Sequence, residues 1–216
     1  LLYSKGCKVA LNGRNQRDLI NTSSKLSESL IVKGDVTDYS EAKKIVKNVI
    51  NHFGKLDILV CNVGNGSSVK PGTETLDDWK TSMDINLFSA TNIIEFSRDE
   101  LFKTSGVIVC ISSICASEFI PGAPVTYSAA KAALNSYVKN ISKPFALKNV
   151  RINAIEPGNV LTKNSVWAKK LASSKNKTQS YLRKEVPLNR FCKPDEMADL
   201  VYYLVSEKSL FLTGSI

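Results

Sequence analysis

GVIVCISS at Gly106–Ser113, YSAAKAALNSYVKNISKPFAL at Tyr127–Leu147 and VRINAI at Val150–Ile155 decide the fold of this chain. The first is almost wholly apolar, as expected of a strand buried on both faces of a parallel sheet. The second is helical in pattern, with Pro144 expected to kink or end it. The third reads as a strand again. Parallel strands need a crossover, and a helix between two buried strands supplies one. The same alternation extends outward. Leu56–Cys61 (LDILVC) is a further buried strand. Thr75-Leu-Asp-Asp78 has capping-box spacing, with Asp where Glu or Gln is usual, and is expected to open a long helix through Leu101. Upstream, Cys7–Asn12 and Leu30–Lys33 are short strand candidates. Ile45, Val46, Val49, Ile50 and Phe53 then form one helical stripe that Gly54 stops. Pro194-Asp-Glu196 opens a last helix, with Pro in the first turn and acids at the positive dipole end. The expectation is an α/β fold: a doubly wound parallel sheet in three layers, one domain over residues 1–216. Ligands bind such sheets at the carboxyl ends of the strands. Residues 159–193 are the only long stretch without a clear strand, and are expected to form a lid.

Composition narrows the function. With 216 residues, 43% hydrophobic and 23% charged, the chain can bury a core without disulfide or metal staples. No apolar run approaches the roughly 18 residues of a membrane span, and nothing at the start reads as a leader. The five cysteines are odd in number and include no C-x-x-C pair. They read as reduced thiols in a reducing compartment, which implies the cytoplasm. His52 is the only histidine, so a histidine zinc site and a Ser-His-Asp triad are excluded, and no metal is expected. His52 itself reads as a helix-end residue. The net charge is +9, and residues 163–193 hold nine basic residues against one acid. That segment alone accounts for +8. It is either a solvated basic face or a surface that attracts an anionic substrate.

Tyr127 and Lys131 stand four apart on the expected helix, hence on one face. A phenol with an ordinary pKa near 10 is a poor acid-base group at neutral pH. A fixed ammonium one turn away favours the phenolate and moves that pKa down. Ser113, at the end of the preceding strand, can hold a substrate carbonyl. The bare Y-x-x-x-K pair also arises on ordinary helix surfaces.

The context of that pair is similar to the short-chain dehydrogenase/reductase family, over essentially the whole chain. The matching elements are Cys61-Asn62-Val63-Gly64 after LDILV, Asn86 in MDINLFSA, Ser112-Ser113 after GVIVCI, Tyr127-Ser-Ala-Ala-Lys131, and Pro157-Gly158-Asn-Val-Leu-Thr162 after RINAIE. Val186-Pro-Leu-Asn-Arg190 and Leu212-Thr213-Gly214 resemble its later landmarks, and the chain looks closest to 3-oxoacyl-carrier-protein reductase-like members. The resemblance implies a Rossmann-like fold and a hydride transfer between NADP(H) and a carbonyl or secondary alcohol. It makes Tyr127 the general acid, and Lys131 the group that lowers its pKa and binds the nicotinamide ribose. Ser113 polarises the substrate, and Asn86 holds a water between Lys131 and solvent. Strand alternation lets only one of Ser112 and Ser113 reach the site, and Ser113 is expected; the serine–tyrosine spacing is 14 against the usual 13.

Cofactor contacts are implied for Asp35 and Val36 at the adenine, Asn62 and Gly64 along the adenosine, and Pro157, Gly158, Val160 and Thr162 at the carboxamide and phosphates. Where NAD-preferring relatives carry an Asp, this chain has Gly13-Arg14. Arg14 offers a fork of donors to a 2′-phosphate, so NADP is preferred over NAD. The family's Gly-rich loop, the strand before it and its closing strand are absent. The sequence is therefore expected to be an internal piece, starting in the last turn of a helix; on its own it should bind no cofactor and fold poorly. Self-association as a homo-oligomer, a tetramer through the helices at 76–101 and 127–147, is also implied. A silent cofactor sensor or scaffold is the alternative, though such relatives usually lose the Tyr or the Lys, and both are present. A nucleic-acid role has only the charge in its favour: Trp167, Tyr181 and Phe191 are the sole aromatics of the basic segment, with no recognition motif.

Overall fold

The computed structural model describes residues 1–163 and 165–216; Asn164, within the expected lid, lies outside the described residues. Five strands, β1 (Ala10–Gly13), β2 (Leu30–Lys33), β3 (Ile58–Cys61), β4 (Val107–Ile111) and β5 (Arg151–Ile155), pair only in parallel among the described residues. They form two pieces, β1 with β2 and β3-β4-β5 in that order. In the second piece Cys61 lies beside Cys110, and Cys110 beside Ala154. The carboxyl ends of these strands therefore share one edge. Val107–Cys110 of the central strand β4 is buried throughout, which is why its sequence is an unbroken apolar run. Ile108 has no exposed surface, and full burial of such a side chain is worth about 1.5–3 kcal/mol.

Among the described residues, eight α-helices surround the strands: α1 (Gln16–Ser23), α2 (Tyr39–Phe53), α3 (Leu76–Met83), α4 (Ser89–Thr104), α5 (Val125–Ala146), α6 (Val166–Ser173), α7 (Lys175–Glu185) and α8 (Pro194–Val205). One core cluster joins Val32 of β2 and Ile45 of α2 to Ile94 of α4, Leu134 of α5, and Ile108 and Ile152 of the sheet. On the opposite side Leu204 of α8 packs against Val109 and Ile155. Helices thus cover both faces, giving the three-layer, Rossmann-like α/β arrangement. Gly54 closes α2 in the left-handed conformation at φ 77°, and His52 lies in that helix's last turn.

Several elements depart from the sequence reading. The capping box forms as expected, Thr75 bonding the Asp78 amide and the Asp78 carboxylate bonding back. The helix it opens does not run unbroken to 101. A π-turn at Asp84–Phe88 separates α3 from α4, which continues to Thr104. Helix α1 was not anticipated; Asn15 caps it by accepting from the amides of Arg17 and Asp18. Pro144 sits in the last turn of α5, which ends two residues later. At the start, residues 3–5 form a 3₁₀ turn closed by Gly6 at φ 86°.

Residues 159–193 contain α6 and α7. Trp167 stacks on Tyr181 at 5.0 Å and meets Phe191 at 5.5 Å. The two ends of the segment meet, Leu161 donating to the Cys192 carbonyl at 3.0 Å and Cys192 to the Asn159 carbonyl at 2.9 Å. Among the described residues, no helix is long and apolar enough to cross a membrane and no cluster of metal-binding side chains occurs.

Candidate active site

The chain leaves β4 at Ile111 and turns at once. Ser113 caps a 3₁₀ turn at Ile114–Ala116, its hydroxyl accepting from the Cys115 amide at 3.2 Å. Ile114 donates to the Pro157 carbonyl at 3.2 Å, which ties this turn to the end of β5. Ser112 and Ser113 part company as alternation requires. The Ser112 hydroxyl bonds the backbone carbonyl of Lys131, whereas the Ser113 side chain lies on the Tyr127 side, close enough to influence its phenol.

Tyr127 and Lys131 lie in the first two turns of α5. Lys131 is 3% exposed and donates from Nζ to the Ile111 carbonyl at 2.7 Å. Burial pulls its pKa down to about 8. The phenol of Tyr127 is held above its ordinary value, chiefly by desolvation, while the neighbouring Ser113 side chain pulls the other way. The Lys131 ammonium is turned toward the Ile111 carbonyl.

Asn86 occupies the π-turn and is 1% exposed. Such a turn frees a backbone carbonyl from its usual partner. The Asn86 amide donates to the Ser82 carbonyl at 3.0 Å and the Asn65 carbonyl at 3.1 Å, while its Oδ1 accepts from the Asn65 amide at 2.8 Å. Asn86 therefore both satisfies the kink and holds the loop after β3. Gly64 lies between the two polar groups. A Cβ there would stand 3.1 Å from Lys131 Nζ and 3.3 Å from Asn86 Oδ1, so a side chain would fill the space over the ammonium. One at Gly66 would meet the Tyr127 ring at 3.7 Å.

The expected cofactor residues follow the carboxyl ends of several strands. Arg14 follows β1 with 72% of its side chain exposed, 3.4 Å from Asp35 Oδ2. Burial pushes the Asp35 carboxyl up, but bonds from the Thr37 amide and hydroxyl and the charge of Arg14 leave it below the ordinary value. Val36 is buried, and its carbonyl accepts from Asn92 of α4 at 3.1 Å. Asn62 and Gly64 are exposed just past β3; Pro157 and Gly158 follow β5, with Val160 and Thr162 beyond. An edge of a carboxylate acceptor with amide and guanidinium donors around an open glycine fits a nicotinamide dinucleotide. Sequence reasoning missed Asn65, which Asn86 holds, Gly66, which lies against the Tyr127 ring, and Glu156, which follows β5. No motif marks them; only the fold brings them to the site.

A family model described as Enoyl-(Acyl carrier protein) reductase matches residues 1–216. The chain belongs to the short-chain dehydrogenase/reductase family. Among its relatives are the 3-oxoacyl-[acyl-carrier-protein] reductase FabG of Thermotoga maritima, 28% identical over all of this chain and 87% of that one, and glucose 1-dehydrogenase 2 of Bacillus subtilis, 29% identical over 87% of this chain and 72% of that one. The solved L-sorbose reductase of Gluconobacter frateurii, complexed with NADPH and L-sorbose, superposes with a TM-score of 0.90 at 26% identity, over 99% of this chain and 85% of that one. This short-chain dehydrogenase/reductase is accordingly an NAD(P)-dependent oxidoreductase.

Proposed function

We propose that the protein moves a hydride between NADP(H) and a carbonyl or secondary-alcohol substrate, with Tyr127 as the general acid in reduction and the general base in oxidation. The observation that carries this reading is the placement of Tyr127 at the carboxyl edge of the sheet, where the Ser113 side chain acts on its phenol, with buried Lys131 one turn along the same helix. When bound, the nicotinamide supplies or accepts the hydride. Ser113 holds the substrate oxygen, and Tyr127 delivers the proton to it. A phenol kept above its ordinary pKa is fully protonated at neutral pH, as an acid must be. Lys131, near pH 8, exchanges protons within the working range, and binds the nicotinamide ribose. Asn86, bonded to the Asn65 backbone, borders the path by which protons reach Lys131 from solvent.

Arg14 supports a preference for NADP over NAD. Its one partner is a long, largely exposed ion pair with Asp35, a weak contact that a phosphate can replace. NADPH in the L-sorbose reductase complex agrees with this. Asp35, Val36, Asn62, Gly64, Pro157, Gly158, Val160 and Thr162 line the rest of the dinucleotide site. Residues 159–193 act as the substrate lid of a single catalytic domain. Their charge suits an anionic substrate, such as a thioester on coenzyme A or on an acyl carrier protein, the substrate named for the Thermotoga relative. Five free cysteines suit the cytoplasm, and the protein acts as a homo-oligomer, a tetramer.

The test is Tyr127→Phe. NADPH-driven reduction should fall roughly 10²–10⁴-fold, the usual worth of a positioned acid. NADPH affinity, read by fluorescence titration, should stay within a few-fold. Activity near wild type in this variant overturns the reading.

A further inference from the structure

Glu156 is the residue immediately after β5, and none of the family motifs includes it. Its carboxylate bonds to two elements that also pack against each other, the serine turn and α5. Oε2 accepts from the Ser117 hydroxyl at 2.8 Å, and Oε1 accepts from the Asn135 amide at 2.5 Å. Ser117 closes the 3₁₀ turn that Ser113 opens. Asn135 lies on α5, four residues beyond Lys131 and eight beyond Tyr127, hence on the same face. One side chain thus holds the serine turn at one oxygen and the tyrosine helix at the other.

The neighbouring backbone explains why this position can do so. Ser112 donates to the Ile155 carbonyl at 2.8 Å, the last bond between β4 and β5 before the chains separate. Beyond it the Ile114–Pro157 bond keeps the serine turn beside residues 156 and 157. Register pairs Cys110 with Ala154, so Glu156 projects to the same side as Ala154, Cys110 and Ser112. Ser112 meets α5 there. A carboxylate has two acceptor oxygens and makes stronger hydrogen bonds than a neutral acceptor. It can restrain both donors at once.

We propose that Glu156 is a positioning residue, whose bridge between Ser117 and Asn135 sets the placement of Ser113 against Tyr127. The proposal rests on the reading of Ser113 and Tyr127 as the acid-base pair. The influence of Ser113 on the Tyr127 phenol is what a displaced serine turn would lose.

The experiment reads that influence directly, in protein labelled with ¹³Cζ-tyrosine at pH 7.5, where the Tyr127 resonance is the one missing from Tyr127→Phe. Ser113→Ala defines the shift of a Tyr127 without its partner. Glu156→Ala should move the resonance in the same direction by a comparable amount. Glu156→Gln should recover most of the loss, since its oxygen can accept from Asn135 and its amide donate to Ser117. With ethyl acetoacetate and NADPH, Glu156→Ala should lose roughly ten- to hundred-fold in kcat, the range expected of a misplaced reacting group, with the KM for NADPH unchanged. Should Glu156→Ala not fold, Ser117→Ala with Asn135→Ala removes both arms and should reproduce its shift. If Ser113→Ala moves Tyr127 but loss of the bridge does not, the positioning role is overturned while the acid-base pair stands. If Ser113→Ala leaves Tyr127 unmoved, the pair itself fails and the proposal with it.

Discussion

Lys131 is the costliest side chain in the site to bury, for it is an ammonium in the core with a single carbonyl partner at 2.7 Å. Its folded pKa of about 8 lies below the roughly 10.4 of an unfolded lysine. Below pH 8 both states carry the proton, and the full penalty of burying the charge opposes folding. Between about 8 and 10.4 the unfolded chain binds more protons than the folded one, so this residue makes stability rise with pH there. The slope approaches about 1.4 kcal/mol per pH unit for one proton. Urea unfolding of wild type and Lys131→Met at pH 7, 8, 9 and 10 checks it: the wild type should gain on the variant at each step above 8. Parallel curves would mean that Lys131 titrates as an exposed lysine. At this scale the identities of Tyr127, Lys131, Ser113 and Asn86 were legible, because each belongs to a short fixed pattern. The partners of their polar atoms were not. Spacing places a lysine one turn from a tyrosine, but only the fold shows the ammonium bonded to Ile111.

Among the elements, those with long apolar patterns were legible and the short polar ones were not. Helix α1 escaped because only Leu19 of its eight residues is buried, leaving no stripe to read. The π-turn inside 76–104 escaped because a one-residue underwinding leaves the helical composition intact. Both omissions bear on function. The π-turn carries Asn86, and the cap of α1 fixes the turn that carries Arg14. Asn15 binds two amides there, so Arg14 leaves β1 in a set direction with its guanidinium mostly in water. Replacing it by Asp should weaken NADPH far more than NADH. A charge-assisted bond to phosphate is worth about 1.5–3 kcal/mol, or ten- to hundred-fold in affinity. Fluorescence titration with both cofactors measures the ratio, and equal losses would assign phosphate recognition elsewhere.

Over the whole molecule, charge is distributed as unevenly as the sequence implies. Lys169, Lys170, Lys175, Lys177, Arg183 and Lys184 are all exposed on α6 and α7. The nearby aromatic cluster gives that pair of helices its own small core, and Lys170 lies over the Trp167 ring at 4.6 Å. The basic face is therefore built on a packed unit, not on a loose loop. Attraction of a distant anion by such a face acts on encounter and is screened over a Debye length of about 8 Å at physiological ionic strength. An uncharged ketone feels no such attraction. With NADPH saturating, kcat/KM for acetoacetyl-coenzyme A should fall as salt rises, and kcat/KM for ethyl acetoacetate should stay flat. Changing Lys169, Lys170, Lys175 and Lys177 to Gln should lower the thioester's kcat/KM at low salt and remove most of its salt dependence, leaving kcat in place. The comparison cancels effects of salt on folding or on the cofactor, since both substrates share them. Identical salt responses for the two substrates, before and after the change, would make the basic face a matter of solubility and leave substrate choice to the pocket around Ser113 and Tyr127.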